Sequence, residues 1–293
     1  MSEAVLVIGC GSIGRRHLRN LSALGVERLL AFDPVAERRL QMQQETGAQT
    51  SECLDSALAA RPDAVLICTP PHLHLAGAAA ALKAGAHIFL EKPIAHSLDG
   101  LDDFLRSAAE QRRVVMVGYN WRFHASIQKL KQLLDCGSIG RLLSIRAEVG
   151  QHLSDWRPTE DYRLGYNARS DLGGGIILDA SHEIDYVCWL GGDANSVYAE
   201  AGKLSPLEIQ CEDTAALLLR LEGSVIAEIH MDCTQRGYAR NGKLIGTEGT
   251  LTWDYREGVQ HIKPDGTCQN FALTPDVNEM YRNEIQHFLD CIR

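Results

Sequence analysis

The feature that most constrains this chain is a glycine loop that directly follows an apolar segment near the N-terminus. The run Ala4-Val5-Leu6-Val7-Ile8 predicts a buried strand, and it leads into Gly9-Cys10-Gly11-Ser12-Ile13-Gly14. In such a turn the first glycine permits the bend, the second lets the backbone approach a pyrophosphate, and the third lets the next helix pack closely. That helix would direct its N-terminus at the phosphates. The predicted dinucleotide site therefore includes Gly9, Gly11, Ser12, Ile13 and Gly14.

A second strand favours this interpretation over a plain tight connection that happens to contain three glycines. The apolar run from Arg28 to Phe32 ends in Asp33, about twenty residues beyond the loop, where a carboxylate can bind the adenosine ribose hydroxyls. A carboxylate at this place would repel a 2′-phosphate, so Asp33 favours NAD. Arg38 and Arg39 leave NADP open as an alternative.

The order of strand-like and helix-like segments predicts two domains. They alternate up to about residue 120, which predicts a doubly wound parallel α/β sheet, a Rossmann domain, over residues 1–120. Alternating apolar and polar runs over 142–150 and 196–260 then predict a mostly antiparallel or mixed open sheet with one face covered. Residues 121–293 are expected to form an α+β domain for substrate binding and oligomerisation, with a last helix that could pack back on the first domain. A sufficiently apolar open face would make the protein a homodimer or homotetramer.

Composition excludes several classes of function. The formal charge of -9, without long runs of Lys or Arg, gives no electrostatic footprint for nucleic acid or an anionic membrane. The nine cysteines form no C-x-x-C pair, which predicts reduced thiols in a cytoplasmic protein. No signal core opens the chain and no apolar stretch approaches the length of a membrane span. No third His or Cys stands at zinc-like spacing, so no metal site is expected.

Segments that follow the predicted strands of the first domain are the natural candidates for a site, because ligands of open parallel sheets lie beyond the carboxyl ends of the strands. They run from Thr69 to His74, from Glu91 to Pro93 and from Gly118 to Phe123. Lys92 could meet a substrate oxygen near the nicotinamide, where its ammonium would stabilise alkoxide character and exchange a proton. The alternative is a solvated lysine at a strand end.

A glycine triplet in the second domain precedes a polar stretch with a central histidine. Asp179, His182 and Asp185 stand three apart after Gly173-Gly174-Gly175, so on a single helix they would share one face. His182 is therefore a candidate acid-base residue, the alternative being a satisfied core imidazole. A loop before the triplet could recognise a carboxylate or phosphate, or could simply be solvated. Its candidate residues are Arg157, Tyr162, Arg163, Tyr166 and Arg169.

Taken together, these segments resemble the Gfo/Idh/MocA family of NAD(P)-dependent sugar and polyol oxidoreductases. The matching pieces are Gly9 to His17, Asp33-Pro34, Thr69-Pro70 with His74, Ala84 to Pro93, Tyr119 to Phe123, and the glycine triplet with Asp179 and His182; Glu284 to Leu289 is similar to the family's closing helix. The resemblance implies that Lys92 is the catalytic lysine, His182 the general acid-base residue and Asp179 its neighbour. It also implies that the cofactor is lined by Thr69, Pro70, His74, Glu91 and Arg122. Substrate contacts are expected from Lys92, Tyr162, Arg163, Asp179 and His182.

Two departures from the family pattern stand out. In the widespread motif the histidine follows the aspartate by four residues, whereas here it follows by three, so the division of labour between Asp179 and His182 stays open. The chain also stops at Arg293, where relatives usually continue, which indicates a truncated or unusually short member.

The activity that the resemblance implies is hydride transfer between NAD(P) and a secondary alcohol or ketone of a sugar, sugar derivative or polyol, with Lys92 and His182 handling the proton. The expected substrate is a small sugar or a nucleotide-sugar. Two other functions stay open. One is a redox-neutral glycosidase or lyase with tightly bound NAD, and the other is a cofactor-dependent sensor without turnover.

Overall fold

The computed structural model describes residues 3–273 and 276–293, and the chain divides into two compact units. The first unit extends to Asn120 and includes Tyr281–Arg293, while the second unit is Trp121–Met280. Every helix within the described ranges is too short or too polar to cross a lipid bilayer.

The first unit is built on a six-stranded parallel sheet. Its strands are β1 Ala4–Ile8, β2 Arg28–Phe32, β3 Gln49–Ser51, β4 Ala64–Ile67, β5 His87–Glu91 and β6 Val115–Gly118. They lie in the order β3-β2-β1-β4-β5-β6, so the order reverses between β1 and β4. Ligands of such sheets bind beyond the carboxyl ends of the strands at this reversal. The predicted Rossmann fold is confirmed.

Helices connect these strands. They are α1 Ser12–Ala23, α2 Ala36–Thr46, α3 Leu54–Ala59, α4 His74–Lys83 and α5 Leu101–Glu110. Since α1 begins one residue after Gly11 and α4 begins at His74, the N-termini of both helices lie directly beyond the ends of β1 and β4. The helix that follows the glycine loop therefore starts where the sequence predicts it.

The second unit contains an eight-stranded mixed sheet. Its strands are β7 Leu142–Gly150, β8 Ala194–Gly202, β9 Thr214–Leu221, β10 Ile226–Asp232, β11 Ala239–Gly246, β12 Thr250–Asp254, β13 Gly258–Ile262 and β14 Cys268–Phe271. The order is β14-β13-β12-β11-β7-β10-β9-β8. Strands β7 and β10 pair in parallel, and the other neighbouring pairs are antiparallel.

One face of this second sheet is covered and the other is open. Helices α6 Ala125–Asp135, α7 Ile176–Asp179 and α8 Ser181–Gly191 belong to the same unit, and α8 packs on β7 and β10. Along β10 the residues Ala227 and Ile229 are buried, whereas Glu228 and His230 on the opposite face are exposed. The predicted mixed sheet with one covered face is confirmed.

The last helix, α9 Val277–Ile292, contributes to the core of the first unit. Ile285, Phe288 and Leu289 are buried there, and the ring of Phe288 lies 5.7 Å from that of Phe89 on β5. The core of the first unit is therefore built from N-terminal and C-terminal parts of the chain.

The prediction of a single helix through Asp179, His182 and Asp185 is wrong. Helix α7 ends at Asp179 and α8 begins at Ser181, because Ala180 between them leaves the helical conformation, with φ −101° and ψ 22°. The hydroxyl of Ser181 donates to the carbonyl of Leu178 at 3.0 Å, a local bond of the kind that competes with helix continuation. The spacing of Asp179 and His182 is therefore set by this break rather than by helical periodicity.

Candidate active site

The three glycines of the first loop meet different surroundings. Gly9 has a φ of +94°, and a Cβ there would lie 2.7 Å from the carbonyl oxygen of Cys68. A Cβ on Gly14 would lie 1.8 Å from the carbonyl oxygen of Gly9. Gly11 differs, since no described atom lies within 4 Å of its Cβ position. The fold itself requires the outer two glycines, whereas the middle one leaves open space where a phosphate would approach the backbone.

Asp33 connects the end of β2 to the glycine loop. Its Oδ2 accepts the backbone N–H of Cys10 at 2.8 Å, and its Oδ1 accepts that of Val35 at 2.9 Å. The guanidinium of Arg38 lies 3.6 Å from Oδ2. A carboxylate oxygen has a second acceptor site, so Asp33 can brace the loop and still accept a ribose hydroxyl. The ribose contact of Asp33 was predicted from the sequence, but its hydrogen bond to the glycine loop was not.

The segment after β4 carries an unsatisfied hydroxyl. Thr69 Oγ1 is buried and has no hydrogen-bond partner among the residues that the structure describes, while the next residue, Pro70, is exposed. Buried polar atoms are nearly always paired, so an orphan hydroxyl beside the reversal in strand order points to a missing ligand. Together with the open space at Gly11, it fits a bound dinucleotide.

Two buried histidines contact the segment that contains Lys92. His17 of α1 lies with Nε2 2.6 Å from Oε1 of Glu91. His74 of α4 has Nδ1 2.7 Å from the carbonyl oxygen of Pro93 and Nε2 2.8 Å from that of Thr69. Burial lowers the pKa of His74. Lys92 itself is half-buried.

Asp179 and His182 lie on either side of the break between α7 and α8. The carboxylate of Asp179 accepts the side-chain amide of Asn167 at 2.8 Å. Tyr166 also bonds to Asp179, and burial, with the negative charge of Asp179, raises the pKa of this tyrosine. His182 is half-buried in the first turn of α8. Asp179 is thus oriented by two neighbours from the preceding loop.

Helix α8 is held by two ion pairs close to His182. Glu183 is 0% exposed and makes two bonds, of 2.6 and 2.7 Å, to the guanidinium of Arg240 on β11. Arg122 makes a similar two-bond contact with Asp185, at 2.7 and 2.8 Å. Burial raises the pKa of Asp185 despite the nearby guanidinium. Arg122, expected to line the cofactor, is therefore engaged with α8.

The arginines of the loop before the glycine triplet all lie beside carboxylates. Arg163 bonds to Asp161 and Glu208, with shortest contacts of 2.6 and 2.8 Å. Arg169 pairs with Asp171 at 2.7 Å, and Arg157 pairs with Glu160 at 3.2 Å. The hydroxyl of Tyr162 accepts the backbone N–H of Glu208 at 3.3 Å. The positive charges of these three arginines are therefore balanced by carboxylates of the same chain.

Four residues that contact the candidate site residues or hold α8 were not predicted from the sequence: His17, Asn167, Glu183 and Arg240. A charged residue at a position where the hydrophobic pattern predicts burial could have indicated a buried ion pair. Glu183 in the first turn of α8 and Arg240 on β11 are such residues. Within residues 3–273 and 276–293 no three His, Cys, Asp or Glu side chains gather as metal ligands would.

The chain matches two family models in succession. Residues 4–119 match the oxidoreductase family with an NAD-binding Rossmann fold, and residues 127–252 match the Gfo/Idh/MocA C-terminal domain. An inositol 2-dehydrogenase of Gluconacetobacter diazotrophicus is 30% identical over 306 residues, covering 99% of this chain and 86% of that protein.

Two solved structures share the fold. A levoglucosan dehydrogenase in complex with NADH superposes with a TM-score of 0.89 at 22% identity, covering 100% of this chain and 90% of the other. A UDP-N-acetylglucosamine 3-dehydrogenase of Acidithiobacillus ferrooxidans gives 0.81 at 23% identity, covering 99% and 88%.

Proposed function

Because the chain belongs to the Gfo/Idh/MocA family of NAD-binding oxidoreductases, we propose that it interconverts a secondary alcohol and a ketone on a polyol or sugar. The observation that carries the proposal is the cradle formed by the open position at Gly11 and the orphan hydroxyl of Thr69. When bound, NAD supplies the hydride acceptor, and this chain supplies orientation and proton handling. The inositol and levoglucosan dehydrogenases named above support the substrate class.

We assign the cofactor to the residues that follow β1, β2 and β4. The backbone of the glycine loop and the N-terminus of α1 would hold the diphosphate. Asp33 would accept the ribose hydroxyls and so favour NAD over NADP, and Thr69 would donate or accept through its hydroxyl. Glu91 and His74 are bonded to groups of the protein, so we assign them to supporting Lys92 rather than to direct cofactor contact.

Lys92 and His182 are assigned to the proton. The ammonium of Lys92 would donate to the substrate oxygen and stabilise alkoxide charge as the alcohol is oxidised. His182 would accept the hydroxyl proton in oxidation and return it in reduction. Asp179 is fixed by Asn167 and Tyr166, which supports an orienting role for the carboxylate and leaves acid-base work to the histidine.

The charge of the loop before the glycine triplet favours a neutral substrate. Each of Arg157, Arg163 and Arg169 already has a carboxylate of the chain beside it. A phosphate or carboxylate would be repelled by the carboxylate beside each arginine, whereas uncharged hydroxyl groups would not. We therefore propose an unphosphorylated polyol or sugar as the substrate, with nucleotide-sugars as the second candidate.

The test is a substrate panel followed at the NADH absorbance band. Inositols, neutral sugars, sugar acids and nucleotide-sugars are offered with NAD to the wild type and to Lys92→Ala. We expect NADH to form with a neutral polyol or sugar, and Lys92→Ala to slow turnover by about 10²–10⁴-fold, the usual contribution of one proton-transfer group. Product formation without NADH would favour the redox-neutral alternative, and NAD binding without any turnover would favour a sensor.

We further propose that the open face of the second sheet joins copies of the chain. This face encloses a cavity of about 1070 Å³. Tyr198 and Leu218 line the cavity, and they are 64% and 48% exposed. Exposed apolar groups gathered on one face are typical of an interface. Light scattering should find a dimer or larger oligomer that Leu218→Arg weakens, whereas Leu98→Arg, an exposed site in the first unit, should leave it intact. A monomeric wild type would contradict this.

A further inference from the structure

We infer that His17 and His74 are positioning residues that hold the segment Glu91-Lys92-Pro93 and thereby fix the place of the Lys92 amine. The inference rests on the proposed role of Lys92 and goes beyond it, since it assigns two further residues to the reaction. The inference requires no contact between either histidine and the substrate.

The two imidazoles contact the residues immediately before and after the lysine. His17 reaches Glu91, and His74 reaches the carbonyl of Pro93, at 2.6 and 2.7 Å. A lysine side chain has four rotatable carbons and a mobile amine, so the position of its backbone limits the volume that the amine can search. The contact of His74 with the Pro93 carbonyl restricts that backbone directly, and the contact of His17 restricts it through the side chain of Glu91.

Both contacts are made in the protein interior. His17 is 0% exposed and His74 is 1% exposed. Water competes little for hydrogen bonds there, and the bond of His17 to a carboxylate belongs to the stronger, charge-assisted class. The ring of His17 is also packed edge-on against Phe89 at 5.4 Å, which fixes its orientation.

The histidines connect Lys92 to the segments assigned to the cofactor. His17 lies on α1, which begins at the glycine loop, and His74 also contacts the carbonyl of Thr69. The two histidines therefore join the lysine segment to the elements that we assign to the cofactor. The histidines therefore do more than fill the core, because they fix the lysine segment relative to the residues assigned to the cofactor.

An apolar side chain cannot replace the polar contacts of His74. Its two ring nitrogens each face a carbonyl oxygen, at 2.7 and 2.8 Å. A smaller residue such as alanine would leave both carbonyls without this partner. Glutamine carries an amide with two N–H donors, so His74→Gln restores part of the arrangement and His74→Ala restores none of it.

The main test is a double-mutant cycle on turnover. His17→Ala and His74→Ala should each lower kcat by about 10- to 100-fold, the scale of a small misplacement of a reacting group, while NADH affinity stays within about threefold. In the Lys92→Ala background the same substitutions should cause no further loss. His74→Gln and His17→Gln should recover part of the rate. His87→Ala, at the opposite end of β5, serves as the matched control and should leave kcat near that of the wild type.

A second readout does not need turnover. The chain has seven lysines, so ¹³C-dimethylation gives a simple amine spectrum in which the resonance missing from Lys92→Arg identifies Lys92. His74→Ala, or His74→Gln if the alanine variant fails to fold, should move that resonance toward the position of exposed Lys83, whereas His87→Ala should not.

The outcomes separate the two proposals. An unmoved Lys92 resonance, or an added loss of kcat when His74→Ala is placed on Lys92→Ala, would overturn the positioning role. If the wild type binds NADH but turns over no polyol or sugar, and His74→Ala still moves the Lys92 resonance as expected, the positioning inference stands and the proposed function is removed.

Discussion

Substituting Gly11 by alanine separates what the fold needs from what the cofactor needs. No described atom lies within 4 Å of the Cβ position, and the backbone φ of −68° is one that alanine adopts readily. Alanine also reduces the freedom of the unfolded chain, so we expect Gly11→Ala to leave the free energy of unfolding unchanged or to raise it by about 0.4–1 kcal/mol. The methyl group would instead occupy the space where the pyrophosphate approaches.

The expected loss appears in cofactor affinity. Weakening one hydrogen bond between the backbone and a charged phosphate costs about 1.5–3 kcal/mol, which is about 10- to 150-fold in Kd. The assay is titration of NADH by calorimetry, beside urea unfolding of each variant. Gly14→Ala is the contrasting variant, since its methyl would lie 1.8 Å from the carbonyl of Gly9 and should destabilise the first unit by about 1–3 kcal/mol or more. A stable Gly11→Ala variant whose Kd for NADH lies within about twofold of the wild-type value would show that the pyrophosphate does not approach this position.

Three further predictions follow from charges and burial. Burial lowers the pKa of His124 from 6.5 to about 4. The stability that the neutral imidazole contributes is therefore complete above about pH 6.5 and is lost as the pH falls toward 4. In urea unfolding at both ends of this range, the free energy of unfolding should change by up to about 3 kcal/mol less in His124→Asn than in the wild type. Glu183→Gln leaves the guanidinium of Arg240 buried without its anion and should cost about 3–5 kcal/mol in unfolding free energy, whereas the double change Glu183→Leu with Arg240→Met should cost less. Asp33→Ser should weaken NAD binding by about tenfold and improve NADP binding through Arg38, as measured by titration of both cofactors.

Each has an outcome that would contradict it. Equal pH dependence in the wild type and His124→Asn would show that this imidazole is not the titrating group. A larger loss in the double variant than in Glu183→Gln would mean that the ion pair itself stabilises the second unit. Unchanged preference for NAD in Asp33→Ser would remove that carboxylate from cofactor selection.

The first unit was predictable because its signals are local. The apolar run before Gly9 and the glycine spacing lie within fourteen residues, and strands β1, β2, β4 and β5 are short, largely buried runs bounded by helix signals. The hydrophobic period and the turn chemistry act at the same range as the elements they specify. The order of the strands then follows from the family of folds that such alternation forms.

The missed features depend on residues far apart in the chain. His17 and Glu91 are separated by 74 positions, and Glu183 and Arg240 by 57, so no local pattern links them. The break at Ala180 has a different cause, since the bond from Ser181 to Leu178 outweighs a helical pattern that would otherwise run through. The pairs of the loop arginines are local by contrast, since Arg163 pairs with Asp161 and Arg169 with Asp171, two positions away, so these contacts could have been predicted from the sequence.

Hydride transfer to NAD is tested most directly by counting the ketone and NADH that the wild type and Lys92→Ala form in a single turnover. We expect one NADH for each ketone in the wild type, slower formation when the reacting carbon carries deuterium, and a rate at least a hundredfold lower without the amine. Ketone or cleavage product appearing without NADH, or an undiminished rate in Lys92→Ala, would contradict it.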